Sequence, residues 1–141
     1  MDTFELGNFR LVNGYTIPNA RLAYTTHGTL NAARDNAVVF PNFLGGNDAA
    51  LEMYVAEGMA LDPNKYFVIL PGQFGNGFSS SPSNTPPPFD RGAFPPIAIA
   101  DDVIAQHTVV THVARGHEKA VAADPGRLRV FLGAVAVARA G

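Results

Sequence analysis

The sequence predicts an α/β fold, and two observations carry that expectation. Ala37-Val38-Val39-Phe40 and Tyr66-Phe67-Val68-Ile69-Leu70 are short continuous apolar runs of the kind shown by strands buried on both faces. Between them, in 49–61, Leu51, Tyr54, Val55 and Met59 recur near helical spacing, and Asp62-Pro63-Asn64 stops the pattern. A strand, helix, strand succession has a parallel pair with a right-handed crossover as its natural solution.

Ahead of this unit, Phe9-Arg10-Leu11-Val12 and Arg21-Leu22-Ala23-Tyr24-Thr25-Thr26 flank the breaker Asn13-Gly14, which predicts an antiparallel hairpin. Behind it, 71–96 is rich in Gly, Ser, Pro and Asn with no sustained period, far longer than the usual connection of ~5 residues, so it is expected to be functional or mobile. A helix is predicted over about 99–115, with Asp101 and Asp102 at the end where carboxylates are favoured, and Val103, Ile104, His107, Val110, Thr111 and Ala114 on one face. Arg127-Leu128-Arg129-Val130-Phe131-Leu132 is the third parallel-strand candidate, followed by a small-residue tail.

Composition bounds the function. With 141 residues, 47% of them hydrophobic and 16% charged, the chain suits a single folded domain spanning 1–141. A net charge of −2 with scattered signs offers no positive field for nucleic acid. Zero cysteines exclude disulfides, thiolate chemistry and Cys-ligated zinc, and suit a reducing compartment. The first residues lack a secretory pattern and no apolar run approaches the ~20 residues of a membrane span, so a cytoplasmic location without membrane association is expected.

The ordered blocks carry a more specific signal. Gly14-Tyr15-Thr16-Ile17-Pro18-Asn19-Ala20-Arg21-Leu22-Ala23-Tyr24, His27-Gly28-Thr29-Leu30-Asn31 and Leu61-Asp62-Pro63-Asn64-Lys65-Tyr66-Phe67-Val68-Ile69 come first. Phe74-Gly75-Asn76-Gly77-Phe78-Ser79-Ser80-Ser81-Pro82-Ser83-Asn84, Pro88-Phe89-Asp90-Arg91 and Asp101-Asp102-Val103-Ile104-Ala105-Gln106-His107 follow. In this order they resemble the homoserine O-acetyltransferase family and its close relatives in the α/β-hydrolase superfamily, over about residues 5–112, with a degraded match from 113 onward. The resemblance implies a partial α/β-hydrolase fold and descent from an enzyme that moves an acyl group to homoserine or to water through a serine nucleophile. Its partners would be an acyl donor and a small-molecule acceptor, with no cofactor.

The same resemblance assigns site residues. The family's next strand runs into a nucleophile elbow, where a sharp turn lifts a serine hydroxyl above the sheet. The matching stretch here is Gly133-Ala134-Val135-Ala136-Val137, which puts Val135 at the nucleophile position, and valine has nothing with which to attack an acyl carbon. The acid and histidine of the triad follow the nucleophile in this fold, so they too are not found in the chain, which is expected to be inactive alone. A frameshift, a truncated gene or a partial gene model would each produce this pattern. Reading the coding DNA beyond residue 112 in the other two frames checks the first of these.

The loop Asn42-Phe43-Leu44-Gly45-Gly46 corresponds to the one that supplies a backbone N–H to the oxyanion hole, with Phe43 the donor candidate. Read without the resemblance, it is an ordinary Gly-rich turn. Asn76 and Arg91 are pocket-loop candidates, Arg91 through a planar fork suited to a carboxylate; a plain surface loop is the alternative for both. Gly75-Asn76-Gly77 does not open a helix, which argues against dinucleotide binding. His27, His107, His112 and His117 form no metal-binding spacing, and His107 is expected half-buried on its helix. Asp101 and Asp102 are read as helix-terminal charges rather than a catalytic pair.

The second class of function is a non-catalytic interaction module. A sheet cut after its third parallel strand leaves an apolar edge, and that edge predicts association, a homo-oligomer included.

Overall fold

The computed structural model describes residues 1–42 and 51–115, together with the backbone of 129 and 130. Its core is one five-stranded mixed sheet in the order β1-β2-β4-β3-β5. The strands are β1 (Asp2–Arg10), β2 (Thr16–His27), β3 (Ala37–Val39), β4 (Phe67–Pro71) and β5 (Arg129–Val130), and the helix α1 (Ile99–Ala114) lies between β4 and β5 in the chain, preceded by a 3-10 turn at Arg91–Ala93.

The predicted hairpin forms, with β1 antiparallel to β2, but β1 starts earlier than the apolar run and is irregular around Gly7. Val12 falls in the turn, where Leu11 N–H donates to the Tyr15 carbonyl at 2.8 Å and Gly14 N–H to the Leu11 carbonyl at 2.9 Å. The end of β2 then pairs antiparallel with β4, from Tyr24 opposite Pro71 to His27 opposite Val68. The predicted parallel pair is β3 with β4, and β5 joins the other side of β3, also parallel.

The continuous apolar runs are explained by two cores. Val39 and Ile69 point to the cluster that includes Leu22, Phe74, Val109 and Val113 of the α1 side. Their neighbours Val38, Val68 and Leu70 point to the opposite cluster with Leu51 and Leu61. Side chains alternate across a strand, so a strand covered on both faces needs an apolar residue at every position.

Two expectations require correction. The helix predicted over 49–61 is helical only at Leu51 and Glu52 among its described residues, and 53–61 is a series of turns. Of its apolar side chains, Tyr54 and Met59 are exposed, so the spacing does not correspond to a buried stripe. Gly58 takes a φ of +77°, and its N–H donates to the Asp62 carboxylate at 3.0 Å, which closes the last turn. That bond and a second from Asn64 N–H hold the Asp62 carboxyl below the usual carboxylate range.

Helix α1 has the predicted span but not the predicted face. Its buried residues are Asp101, Ala105, Gln106, Val109, Val110 and Val113. Val103 is 57% exposed, Ile104 48%, and His107 is also exposed rather than half-buried. The physical reason lies in Asp101, which is wholly buried. One of its carboxylate oxygens accepts the Val12 N–H at 2.8 Å and the other accepts the N–H of Ala98, the residue preceding the helix, at 2.9 Å. Satisfied by two backbone donors, the carboxylate goes inside and turns the helix about its axis.

Candidate active site

In an open α/β sheet, ligands bind beyond the carboxyl ends of the parallel strands. Here those ends are Asn42 after β3 and Gly72-Gln73-Phe74 after β4, with the first two turns of α1 alongside.

Three hydrogen bonds tie this corner together. Gln73 Nε2 donates to the Asn42 carbonyl at 3.1 Å. Gln106 Nε2 donates to the Gly72 carbonyl at 2.9 Å, and Phe74 N–H donates to Asp102 Oδ1 at 2.8 Å. Burial pushes the Asp102 carboxyl up to about 6; the Phe74 N–H pulls it down and the neighbouring Asp101 raises it further. Asp101 and Asp102 are therefore more than helix-terminal charges. Each fastens a distant backbone segment to α1, and neither has its geometry set by the other as in a catalytic carboxylate pair.

The loop after β4 is fastened as firmly. Between Arg21 and Ala23, beyond the reach of β4, the backbone groups of β2 are met by this loop. Ala23 N–H donates to Ser79 Oγ at 3.1 Å, Arg21 N–H to Ser80 Oγ at 2.9 Å, and Ser80 N–H returns a bond to the Arg21 carbonyl at 2.9 Å. Ser81 Oγ accepts the Gly77 N–H and donates to the Ser79 carbonyl. All three serines are buried; the hydroxyls of Ser79 and Ser80 complete the edge of β2, and that of Ser81 braces the loop itself.

The sequence-derived site residues divide accordingly. Asn42 is buried at the end of β3, next to Gln73. Asn76 is half-buried and builds its own loop, its Oδ1 accepting the N–H groups of Phe78 and Ser79 at 2.9 and 2.8 Å. Arg91 has a side chain 90% exposed, with its Nε 3.9 Å from Asp90 Oδ2. Phe43, Leu44, Gly45, Gly46 and Val135 lie outside the described residues, as does His117. His112 has its ring 4.7 Å from that of Phe4, and His27 Nε2 is 3.7 Å from Glu52 Oε1. Among the described residues no group of three or more acidic or histidine side chains could hold a metal ion, and no helix is long and apolar enough to cross a membrane.

Gln73 and Gln106 were not singled out by sequence reasoning. The only advance signal is that Asp102 and Gln106 stand four apart on one helix, where two polar side chains can serve the same neighbour.

No family model matches the chain. It is similar to ethyl acetate hydrolase from Pseudomonas veronii, 42% identical over 111 residues, which cover 78% of this chain and 32% of that protein. Homoserine O-acetyltransferase from Leptospira biflexa is 34% identical over 127 residues, covering 78% of this chain and 33% of the relative. Among solved structures, the acetyl esterase MekB superposes with a TM-score of 0.76 at 42% identity, over 79% of this chain and 33% of that one. The chain thus spans about a third of the length of the curated relatives it matches. Esterases share more identity with it than the acetyltransferase does, which widens the resemblance read from the motifs. The chain belongs to the α/β-hydrolase superfamily, as a match to the N-terminal part of its esterases and homoserine O-acetyltransferases.

Proposed function

We propose that this chain is the N-terminal portion of a serine-dependent ester hydrolase acting on short acyl esters, and that it is inactive by itself. The observation that carries the reading is the 42% identity to an ethyl acetate hydrolase over 78% of the chain. The joined exits of β3 and β4 support it, because acyl transfer needs a backbone donor held still where the oxyanion forms.

In this reading the chain supplies scaffold and one oxyanion donor, the N–H of Phe43. The nucleophile, the second donor and the histidine that moves the proton belong to sequence other than the residues described, since Val135 carries no attacking group. Acyl transfer to homoserine uses the same scaffold and differs in the acceptor pocket.

The test is ester hydrolysis. The purified 141-residue chain should leave p-nitrophenyl acetate at its background rate. A hybrid in which the matched residues replace their equivalents in the Pseudomonas veronii hydrolase should cleave the ester well above background. An active chain that stays active after Val135→Gly would contradict the site assignment, and an inactive but folded hybrid would contradict the hydrolase reading.

A second reading, a non-catalytic interaction module, is favoured by the outward apolar side chains of α1: Ile99 is 83% exposed, Val103 57% and Ile104 48%. Size-exclusion chromatography discriminates, since a clean monomer with cooperative unfolding argues against association through this face or the sheet edge.

A further inference from the structure

We propose that Asn13 is a site of spontaneous modification, deamidation through the backbone of Gly14, and that the reaction unfastens the tip of the β1-β2 hairpin from α1. The inference does not depend on the hydrolase reading above, and every residue it needs lies among those described.

An asparagine followed by glycine can cyclise on its own backbone. The glycine nitrogen attacks the side-chain carbonyl carbon and gives up its proton, a C–N bond forms, and the side-chain nitrogen leaves as ammonia. Water then opens the resulting succinimide at one carbonyl or the other, leaving aspartate or, with the chain rerouted through the side chain, isoaspartate. Nothing is oxidised or reduced. Glycine favours the reaction because it has no Cβ to block the approach.

The sequence holds two such pairs, Asn13-Gly14 and Asn76-Gly77, and the structure treats them differently. Asn13 and Gly14 are both exposed at the hairpin tip. Asn13 Oδ1 accepts the Tyr15 N–H at 3.1 Å, which turns the carboxamide forward along the chain, over the bond to Gly14. The same N–H sits on the oxygen that takes up negative charge when the nitrogen attacks. The Gly14 N–H is tied by a bond to the Leu11 carbonyl at 2.9 Å, and open space surrounds the residue, so the turn can open there without moving packed side chains.

At the second pair the attacking nitrogen is locked. Gly77 N–H donates to the buried Ser81 Oγ at 2.8 Å, and the Gly77 carbonyl accepts from Asn84 Nδ2 at 3.0 Å. Asn76 Oδ1 is held by two N–H groups, those of Phe78 and Ser79. Freeing Gly77 means dismantling the loop that completes the edge of β2.

The consequence at position 13 follows from the other end of the carboxamide. Asn13 Nδ2 donates to the Pro96 carbonyl at 2.8 Å across 83 positions, and beside it Val12 N–H donates to Asp101. These two bonds fasten the hairpin tip to the start of α1. A carboxylate at position 13 has no N–H to give and sets an oxygen against the Pro96 carbonyl. Isoaspartate also lengthens the backbone of the turn. Either product removes one fastening and strains the other.

The full 141-residue chain, aged in mildly alkaline buffer and digested with trypsin, reports the pairs separately, in peptides 11–21 and 66–91. The same chain in urea sets the unprotected rate of each. In the folded chain Asn13 should react within ~3-fold of its urea rate and Asn76 at least ~10-fold below its own. Protection of Asn13 equal to that of Asn76 overturns the proposal. Asn13→Gln, which disfavours ring closure and keeps an amide, should abolish the product in peptide 11–21; a product that persists belongs to Asn19 and overturns the assignment.

Hydrogen exchange reads the unfastening. In Asn13→Asp the Val12 amide should exchange ~5- to 10-fold faster than in the wild type. The reacted fraction of the aged chain, separated by ion exchange, repeats the comparison without a substitution. Unchanged exchange in both overturns the unfastening and leaves the modification site standing.

Discussion

Asp101 accepts the backbone N–H of Val12 at 2.8 Å across 89 positions of sequence, and its neighbour Asp102 accepts that of Phe74 at 2.8 Å across 28. The two adjacent carboxylates make similar bonds, yet their neutral isosteres should behave oppositely. Asp101 is wholly buried and receives N–H donors on both oxygens, so Asp101→Asn sets an amide N–H against a donor and should cost ~2 kcal/mol or more.

Asp102 uses Oδ1 for Phe74, which an asparagine oxygen can replace, and its charged form is disfavoured by burial. Its folded pKa of about 6 lies above the unfolded value, so the group's contribution is fully present below about pH 4 and is lost as pH rises through about 6. Asp102→Asn should therefore raise stability at pH 7 to 8 by order 1 kcal/mol, discounted for the solvent that reaches the group, and should flatten the pH dependence between 4 and 7. Urea unfolding at a series of pH values checks both substitutions.

Glycine 28 should tolerate no side chain. It has a φ of +77°, and a Cβ there would collide with the Tyr66 carbonyl oxygen and stand 2.5 Å from that of Pro63. Gly28→Ala should cost about 3 kcal/mol or more, because two backbone segments must move as well as the strained torsion being adopted. Gly14, at φ +92° with open space around it, should lose only about 1 kcal/mol on the same change. Paired melting curves separate strain from collision.

Ser79 and Ser80 should prove structural. Removing either hydroxyl leaves a β2 N–H without its acceptor, at a cost of ~1–3 kcal/mol each. Neither should be phosphonylated by a fluorophosphonate, a displacement of fluoride at phosphorus whose adduct mass spectrometry of the treated chain would show. Labelling at either residue would mean that the hydroxyls are free to react.

The orientation of α1 can be read by two truncations. Val109 is fully buried and Ile104 is 48% exposed. Val109→Ala should cost ~1–3 kcal/mol and Ile104→Ala under ~0.5 kcal/mol in the monomer. The reverse order would restore the face predicted from the sequence.

That face shows where sequence legibility ended. The strands β2, β3 and β4 were readable because burial on one or both faces leaves a local mark, as in Val38-Val39 and Val68-Ile69-Leu70. The span of α1 was readable for the same reason. Its rotation was not, since Asp101 and Gln106 face inward to meet Val12 and Gly72, partners far outside any sequence window. The turns of 53–61 were missed because Met59 and Tyr54 are apolar without being buried. Asn42 was named from the family pattern, and the bond its carbonyl accepts from Gln73 appears only once β3 and β4 lie side by side. Asn76 and Arg91 were read as lining residues, and the first of them proved to build a turn.

The sheet order also has a bearing on how the chain is made. β3 lies between β4 and β5, both synthesised after it, so this strand leaves the ribosome before either of its own partners. Ala37-Val38-Val39, apolar on both faces, must wait with its hydrogen-bonding groups open until β4 emerges some thirty residues later. β5 follows only after α1 and the residues beyond it. Such a delay exposes an aggregation-prone segment during translation. Expression at lowered temperature, or with a holdase chaperone present, should therefore improve the soluble yield of this chain by protecting a strand whose neighbours have yet to arrive.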